Sequence, residues 1–464
     1  MKILFTGDVM LGRLLNNVLN WENYMYVWGD TLDIIRNADL SLINLECAIS
    51  SKGKEWNKTF KVFHFRADPE AIEVLRTAHI DYVSLANNHV LDYDIEALLD
   101  TLDLLDENRI AHSGAGRNLK EAMQPARLDF KRKPLSNDTN SKGVLRNVSN
   151  INDIFKTGDI NKINDGVDGS NNSESPCDKG FIRSNKSKYK NDNYNDNNND
   201  NNNDNNIRIG IVSLTDNQSE WEARENYPGI NYIPINLSSS NEAYYHDKLR
   251  YCIENARSVS DIVIVASHVG PHFRKVPSRE YSDFAHGILD LGADIYWGHS
   301  NHMPQGIEIY NDKKLIMYDC GDFVDDYAVD SDYRNDLSFI FMLHLDEDAC
   351  IAQSPATTVS NTEIVSNNSG EIDRDSHYKN IVRNRGGDLN DHNLNDVNDI
   401  GVNNERTILK GTIELIPTKI SEFKVNRALL KEADLAINRM VDRCNYLGTK
   451  CTVDTLRKRI MIQI

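Results

Sequence analysis

Short apolar runs alternate with helical periods along most of this chain. Five of the runs are almost continuously apolar, namely 2–6, 40–45, 82–86, 262–266 and 294–297. Such runs are typical of strands that are buried on both faces of a sheet. The pattern predicts further strands at 110–113, 126–130, 207–214, 306–310, 315–318, 337–345 and 407–416.

Helical periods separate several of these runs. Apolar residues recur at helical spacing in 95–105 and again in 284–291, and weaker helical patterns cover 242–257 and 426–440. Strands and helices alternate early in the chain, and a run of strands follows later. This order predicts a layered α/β fold whose second sheet is largely antiparallel.

Two long polar stretches cannot belong to a packed core. Residues 137–206 end in a tract where every position in 191–206 except Tyr194 is Asn or Asp, and residues 351–405 are similar in character. Such compositions favour disorder, so we predict two long disordered inserts. About 339 of the 464 residues remain. The predicted domain spans 1–345 around the first insert, and 406–464 complete it with a strand and a helix.

Composition and charge exclude several classes of protein. No apolar run reaches the length of a membrane-spanning helix, and the first apolar run is too short for a secretory signal. The seven cysteines include no CxxC pair, which predicts a reducing, cytoplasmic location without a disulfide framework. The net charge of −18 argues against a nucleic-acid partner. A small anionic or phosphorylated substrate fits only if bound metal reverses the local field.

Polar side chains of metal-ligand type follow the five apolar runs. They are Asp8, Glu46, Asn88, His89, His268, His299 and His302. The carboxyl ends of parallel strands share one edge of a sheet, so we expect these side chains to converge. A mixed set of oxygen and nitrogen ligands suits Mn, Fe, Zn or Ni better than Ca. The set exceeds the needs of one tetrahedral ion, which predicts two divalent ions bridged by a carboxylate.

Each of these residues also has an ordinary structural explanation. Asp8 is a common residue type for a turn or a helix N-cap, and His268 fits a hydrogen-bonded position in a core. The segment 298–302, with imidazoles at His299 and His302 behind a glycine, is harder to explain by packing. It is the joint placement of all the residues that favours a metal centre.

Several motifs resemble those of the CapA family of poly-γ-glutamate capsule synthesis proteins. That family looks like a branch of the calcineurin-like metallophosphoesterases. The matching stretches include GDVMLGR (7–13), NLE (44–46), LANNHVLDY (85–93), SHVGP (267–271), GADIYWGHSNHMPQGIEIY (292–310) and YDCGDFVDDY (318–327). The resemblance covers 1–130 and 207–345, and more weakly 407–425. It implies a layered α/β-β-α sandwich of the metallophosphoesterase type.

The resemblance also implies a role for each matched residue. Asp8 and His302 resemble ligands of a first metal, Glu46 the bridging carboxylate, and His268 and His299 ligands of a second metal. Asn88 resembles an amide ligand of the metal, and His89 resembles the histidine that contacts or protonates the leaving oxygen. These two are the candidate catalytic residues.

Other positions depart from the superfamily pattern or are candidates for supporting roles. The superfamily usually has Asp-x-His at the first strand, whereas this chain has Met10 at the histidine position, and a thioether is a poor ligand for a hard divalent ion. The first metal site is therefore expected to lose one ligand. Asp322, Arg279 and Glu280 are candidate substrate-binding or supporting residues. Their alternative explanation is a local ion pair or a turn.

Two functions remain open from the sequence. The first is a metal-dependent phosphoesterase-like hydrolase, in which a metal-activated hydroxide attacks a phosphoryl or related acyl centre. The second is a non-hydrolytic accessory protein of poly-γ-glutamate or capsule-type polymer biosynthesis that binds an acidic polymer. No P-loop, GxGxxG or GxSxG motif supports a competing chemistry.

Overall fold

The side chains of the first strand, Lys2–Val9, alternate between two cores. Ile3 and Phe5 belong to an apolar cluster between two sheets, whereas Leu4 and Val9 belong to a cluster beneath helices. Successive strand residues point to opposite faces of a sheet, so both faces of this sheet are covered. The prediction that the apolar runs form strands buried on both faces is confirmed for this strand.

The computed structural model describes residues 1–131, 147–149, 206–236, 242–347 and 409–464. These residues belong to one unit, which comprises Met1–Ile151 and Asn206–Ile464. Most of the predicted inserts 137–206 and 351–405 lies outside the described residues. The described parts of the first insert are the short strand Asn147–Ser149 and Asn206, which begins a long strand.

The described strands form two large sheets and two small ladders. In chain order, the strands of the large sheets are β1 (Lys2–Val9), β2 (Leu40–Leu45), β3 (Tyr82–Ser84), β4 (Ala111–Ser113), β5 (Ala126–Lys131), β6 (Asn147–Ser149), β7 (Asn206–Thr215), β8 (Ile262–His268), β9 (Ile295–His299), β10 (Pro304–Tyr310), β11 (Lys314–Cys320), β12 (Asp322–Val324), β13 (Leu337–Leu345), β14 (Gly411–Ser421), β15 (Lys424–Arg427), β16 (Thr452–Asp454) and β17 (Arg459–Gln463). The small ladders pair Ala48–Ile49 with Arg66–Ala67 and Ala115–Gly116 with Gly229–Ile230.

The described α-helices lie between these strands. They are α1 (Leu14–Leu19), α2 (Leu32–Arg36), α3 (Ile72–Ala78), α4 (Asp94–Glu107), α5 (Leu119–Met123), α6 (Glu242–Arg257), α7 (Arg279–Asp290) and α8 (Leu430–Tyr446). Short 3-10 helices cover Tyr26–Thr31, Pro69–Ala71 and Ser219–Trp221. The helices predicted at 95–105, 242–257, 284–291 and 426–440 are confirmed. The last begins later than predicted because β15 occupies its first residues.

Both sheets are mixed. The first has the order β16-β17-β14-β13-β1-β2-β3-β4, with β1 to β4 parallel and the other half antiparallel. The second has the order β10-β11-β9-β8-β7-β5-β6, and its four central strands are parallel. The prediction of a largely antiparallel second sheet is therefore wrong. Helices α6 and α7 each form a crossover, and a crossover is the connection that parallel neighbours need.

The two sheets pack face to face, with helices on both outer surfaces. One apolar cluster fills the space between the sheets, and two others lie under the outer helices. Helices α1 to α4 cover the first sheet, and α5 to α7 cover the second. The predicted layered α/β-β-α arrangement is confirmed. In the described part of the chain, no helix combines the length and apolar composition that a membrane crossing requires.

Glycine is required where two strands approach closely behind the polar strand ends. A Cβ added to Gly298, which precedes His299, would lie 1.8 Å from the carbonyl oxygen of Tyr318. By contrast, a Cβ on Gly287 in α7 would meet nothing within 4 Å. The Gly298 position therefore tolerates no side chain without movement of the backbone.

This contrast predicts opposite effects of two alanine substitutions on stability. Gly298→Ala is expected to lower the free energy of unfolding by about 2 kcal/mol or more, because the added methyl overpacks the strand contact. Gly287→Ala is expected to raise it by up to about 1 kcal/mol, because alanine favours the helix. Urea unfolding of both variants measures the difference. Equal stability of the two variants would contradict the close approach at Gly298.

Candidate metal centre

The ends of several strands place polar side chains at one edge of the two sheets. Asp8 is the penultimate residue of β1, and Glu46 directly follows β2. His268 and His299 end β8 and β9 and are register partners in the parallel pair. Asp8 therefore lies within its strand, not after it as the apolar run suggested, because pairing with Asn44 continues β1 to Val9.

One group of candidate ligands comprises Asp8, Glu46 and His268. A single ligand atom from each lies within 4.8 Å of the others, and all three residues are buried. His268 Nε2 lies 3.7 Å from Glu46 Oε1, and His268 Nδ1 lies 3.9 Å from Asp8 Oδ1. His299 adds a further contact, with Nδ1 3.0 Å from Asp8 Oδ1. The spacing is that of atoms able to share one cation.

A second group shares Asp8 and adds His302 and Asp322. Their ligand atoms also lie within 4.8 Å of one another, and His302 Nδ1 is 2.9 Å from Asp322 Oδ1. Asp322 begins β12 and is the register partner of Asp8. Ser300 and His302 adopt positive φ values of 96° and 62°, which non-glycine residues rarely adopt. Such strain is typical of functional segments.

The candidate ligands carry buried polar atoms without a hydrogen-bond partner in the described structure. These atoms are Asp8 Oδ2, Glu46 Oε1, Asn88 Oδ1, His268 Nε2, His299 Nε2 and Asp322 Oδ2. Buried polar atoms are normally hydrogen-bonded, so each such atom calls for an explanation. Coordination of divalent cations would satisfy all of them, and the donor set of carboxylates, imidazoles and an amide fits Mn, Fe, Zn or Ni. The residues therefore fit the predicted ions.

The electrostatics also favour a cation. Burial raises the pKa of Glu46 well above its usual range, and the nearby charges of Asp8 and Asp322 raise it further. Burial, and then the charge of Asp8, also raise the pKa of Asp322 well above its usual range. Burial alone would raise the pKa of Asp8 as well, but the hydrogen bond from His299 and the neighbouring imidazoles hold it well below its usual range. A divalent cation would offset the repulsion among these carboxylates.

His89 is held firmly beside this centre. Its Nδ1 lies 2.6 Å from Asp92 Oδ2, and its ring stacks on Phe65 with centroids 3.8 Å apart. Lys61 Nζ lies 3.2 Å from the other oxygen of Asp92. Burial, and then the charge of Lys61, lower the pKa of His89 well below its usual range. Burial raises the pKa of Asp92 to about 7 although Lys61 opposes the shift.

The adjacent asparagines have different roles. Asn87 Nδ2 donates to the carbonyl of Leu45 at 2.8 Å, and its Oδ1 accepts the N–H groups of His89 and Val90. Asn87 thus fixes the loop, and the side-chain oxygen of Asn88 remains unpaired and buried.

Several residues around the centre were not predicted. Asn44 Nδ2 donates to Asp8 Oδ1 at 2.8 Å, and the Tyr327 hydroxyl donates to Glu46 Oε2 at 2.9 Å. Asn44 is part of the NLE motif, and Asp92 follows His89 at a spacing of three, so a signal existed for both. Lys61 comes from an irregular loop, and nothing in the sequence pattern marks it.

The structure does not bring Arg279 and Glu280 into the cluster. They form the first turn of α7 in the outer helical layer, and the Arg279 side chain is 93% exposed and pairs with Asp283. Met10 is fully buried under the helices, and its sulfur accepts the Gly12 N–H at 3.1 Å. The thioether is thus used by a local hydrogen bond and by packing in the core.

Together, the fold and the site define a layered α/β protein with a candidate centre for divalent metals. The chain belongs to the family of bacterial capsule synthesis proteins described as PGA_cap, whose family model matches residues 2–151 and 190–327. The resemblance to the CapA family is therefore confirmed. The matched residues include every candidate ligand described above.

Individual relatives are distant but extensive in coverage. A protein of Mycobacterium tuberculosis named "Probable polyglutamine synthesis accessory protein" is 25% identical over 376 residues, covering 73% of this chain and 79% of that protein. The PGA biosynthesis protein CapA of Bacillus subtilis is 23% identical, covering 69% of this chain and 62% of the relative. The capsule biosynthesis protein CapA of Bacillus anthracis is 22% identical, with coverages of 70% and 60%.

Proposed function

We propose that this chain is a metal-dependent hydrolase that acts on a phosphoryl or related acyl centre. The observation that supports it is the pair of ligand groups sharing Asp8, whose buried unpaired atoms lie beside the His89–Asp92 pair. Asp8, Glu46, His268, His302 and Asp322 would hold the ions, and Asn88 and His299 would add ligands. Divalent ions held there would supply Lewis acidity toward a substrate oxygen and toward water.

The remaining residues position this chemistry. Asn44 and Tyr327 each bind one carboxylate oxygen, of Asp8 and Glu46 respectively, and so leave the second oxygen directed to a ligand. Asp92 occupies Nδ1 of His89, which leaves Nε2 as the ring atom able to hold or move a proton at the leaving oxygen. The Phe65 ring covers one face of the imidazole and limits the approach of water.

Elemental analysis and hydrolysis assays of the purified full chain test this proposal. We expect up to two equivalents of divalent metal and measurable hydrolysis of a generic phosphomonoester or phosphodiester that chelation abolishes and added metal restores. Absence of bound metal, or hydrolysis that survives chelation, would refute the hydrolase proposal.

Asp322 is proposed to supply the ligand that the centre lacks because of Met10. Asp322→Asn is then expected to weaken metal binding by about ten-fold or more at the group with His302, since a neutral amide replaces the carboxylate and even the partners that orient metal ligands contribute that much. Calorimetric titration should show one site where the unaltered chain shows two. Asp294→Asn is the matched control, because Asp294 is a buried aspartate that pairs with Arg257 and belongs to neither ligand group. Equal losses in both variants would contradict a ligand role for Asp322.

A second candidate function is a non-hydrolytic accessory role in the biosynthesis of an acidic polymer. It is favoured by the printed names of the relatives, which concern capsule, PGA or polyglutamine synthesis. In this case the metal centre would bind carboxylates of the polymer without cleaving it. Metal binding without hydrolysis of any phosphoester, together with binding of polyglutamate, would favour this function. The cytoplasmic location stays a prediction from the cysteine pattern.

A further inference from the structure

A cavity of about 400 Å³ lies next to the segment that carries His302. Its lining includes Met303, which follows His302 in the chain, and Tyr333. The Tyr333 ring lies 5.1 Å from that of Phe273, which in turn lies 5.6 Å from the His302 ring. The cavity is therefore a neighbour of the candidate metal centre, and its volume is in the range of small-molecule sites.

Three cationic side chains line this cavity, namely Lys275, Arg439 and Arg443. None of them forms an ion pair with a residue in the described ranges. Arg439 donates to the carbonyls of Tyr333 and Asp332, and Arg443 donates to the carbonyl of Pro304. The guanidinium groups are thus held in place by backbone oxygens while their charge stays unbalanced by direct contact.

The arrangement of the arginines favours an anion. Arg439 and Arg443 are four residues apart on α8, a spacing at which like charges repel each other across one helix face. Burial, and then the charge of Arg439, lower the pKa of Arg443 to about 10. Two carboxylates, Asp332 and Asp442, also line the cavity, so the cations outnumber them by one. A bound oxyanion would offset the repulsion and accept the directed N–H groups that guanidinium offers.

We propose that this cavity binds an oxyanion of the substrate, a carboxylate or a phosphate, while the reacting group lies at the metal centre. The placement of the reacting group rests on the proposed function, whereas anion binding in the cavity does not. Helix α8 lies beyond the residues that the family model matches. This part of the chain would therefore add a specificity element to the shared metal-centre fold.

Direct binding measurements on the purified full chain test the proposal. Pentaglutamate and inorganic phosphate are titrated by calorimetry into the unaltered chain, Lys275→Glu and Lys431→Glu, with metal content determined in parallel. Lys275 is exposed, and no described hydrogen bond from its side chain holds the fold, so its reversal should leave the structure intact. Lys431 is exposed on α8, does not line the cavity, and gives the same change of net charge.

We expect Lys275→Glu to weaken binding of at least one probe roughly ten-fold or more, because a charge-assisted contact is replaced by repulsion. Lys431→Glu should bind like the unaltered chain. If Lys275→Glu binds pentaglutamate more weakly but phosphate normally, the oxyanion is assigned to a carboxylate. If the variant binds phosphate more weakly, the oxyanion is assigned to a phosphate. Equal weakening in both variants, or no binding of either probe, would overturn the proposal. If the purified chain held no metal and still bound a probe in a Lys275-dependent way, the hydrolase proposal would be refuted. The assignment of the cavity as an anion site would still hold.

Discussion

Asp8→Asn is expected to remove most of the divalent-metal binding of this chain. Asp8 is the one residue that belongs to both ligand groups, and its side chain is buried, so its replacement removes a carboxylate ligand from each group. Metal added to the metal-free protein at about a hundred times the dissociation constant should raise the free energy of unfolding by about 2.7 kcal/mol. The variant should show little of this increase.

Thermal unfolding with and without Mn²⁺ or Zn²⁺ measures this effect. Asp129→Asn makes the same chemical change on β5, where the carboxylate pairs with Arg127 away from the candidate ligands, and should keep the full metal-dependent increase. If Asp8→Asn gained as much stability from metal as the control, the shared position of Asp8 in the centre would be refuted.

His89→Gln is expected to lower the rate of hydrolysis by roughly a hundred- to ten-thousand-fold, the usual contribution of a positioned acid or base. Glutamine keeps much of the side-chain volume against Phe65 but cannot exchange a proton at neutral pH. The metal content should be unchanged, because His89 belongs to neither ligand group. Steady-state rates with a generic phosphoester, together with elemental analysis, separate loss of chemistry from loss of metal.

His112→Gln is the matched control for this prediction. His112 is also buried and also pairs with an aspartate, Asp106 of α4, but it lies on the edge strand β4 and belongs to neither ligand group. The rate of hydrolysis by Asp92→Asn should lie between the rates of these two variants, because the change removes the charge that orients His89 but keeps the imidazole. Rates for His89→Gln that match those for His112→Gln would refute the catalytic role of His89.

Much of the fold follows from local patterns. The apolar runs at 2–6, 40–45 and 262–266 are strands, and the stripe in 95–105 is a helix, because burial of alternate or helically spaced residues leaves a direct trace in composition. The parallel centre of the second sheet left no such trace. Whether neighbouring strands are parallel depends on the connection between them, and the composition of an apolar run is the same in a parallel and in an antiparallel strand.

The candidate site, like the fold, follows partly from the sequence and partly from the tertiary structure. By itself the sequence determined the layered α/β class and the placement of ligand-type side chains at strand ends, since strand length and chain order decide both. Only the tertiary structure decided that Asp322 joins Asp8 and His302, that Lys61 reaches Asp92, and that Arg439 and Arg443 line a cavity next to His302. Those contacts join residues far apart in the chain, and long-range contacts depend on how sheets and helices pack, which no local pattern encodes.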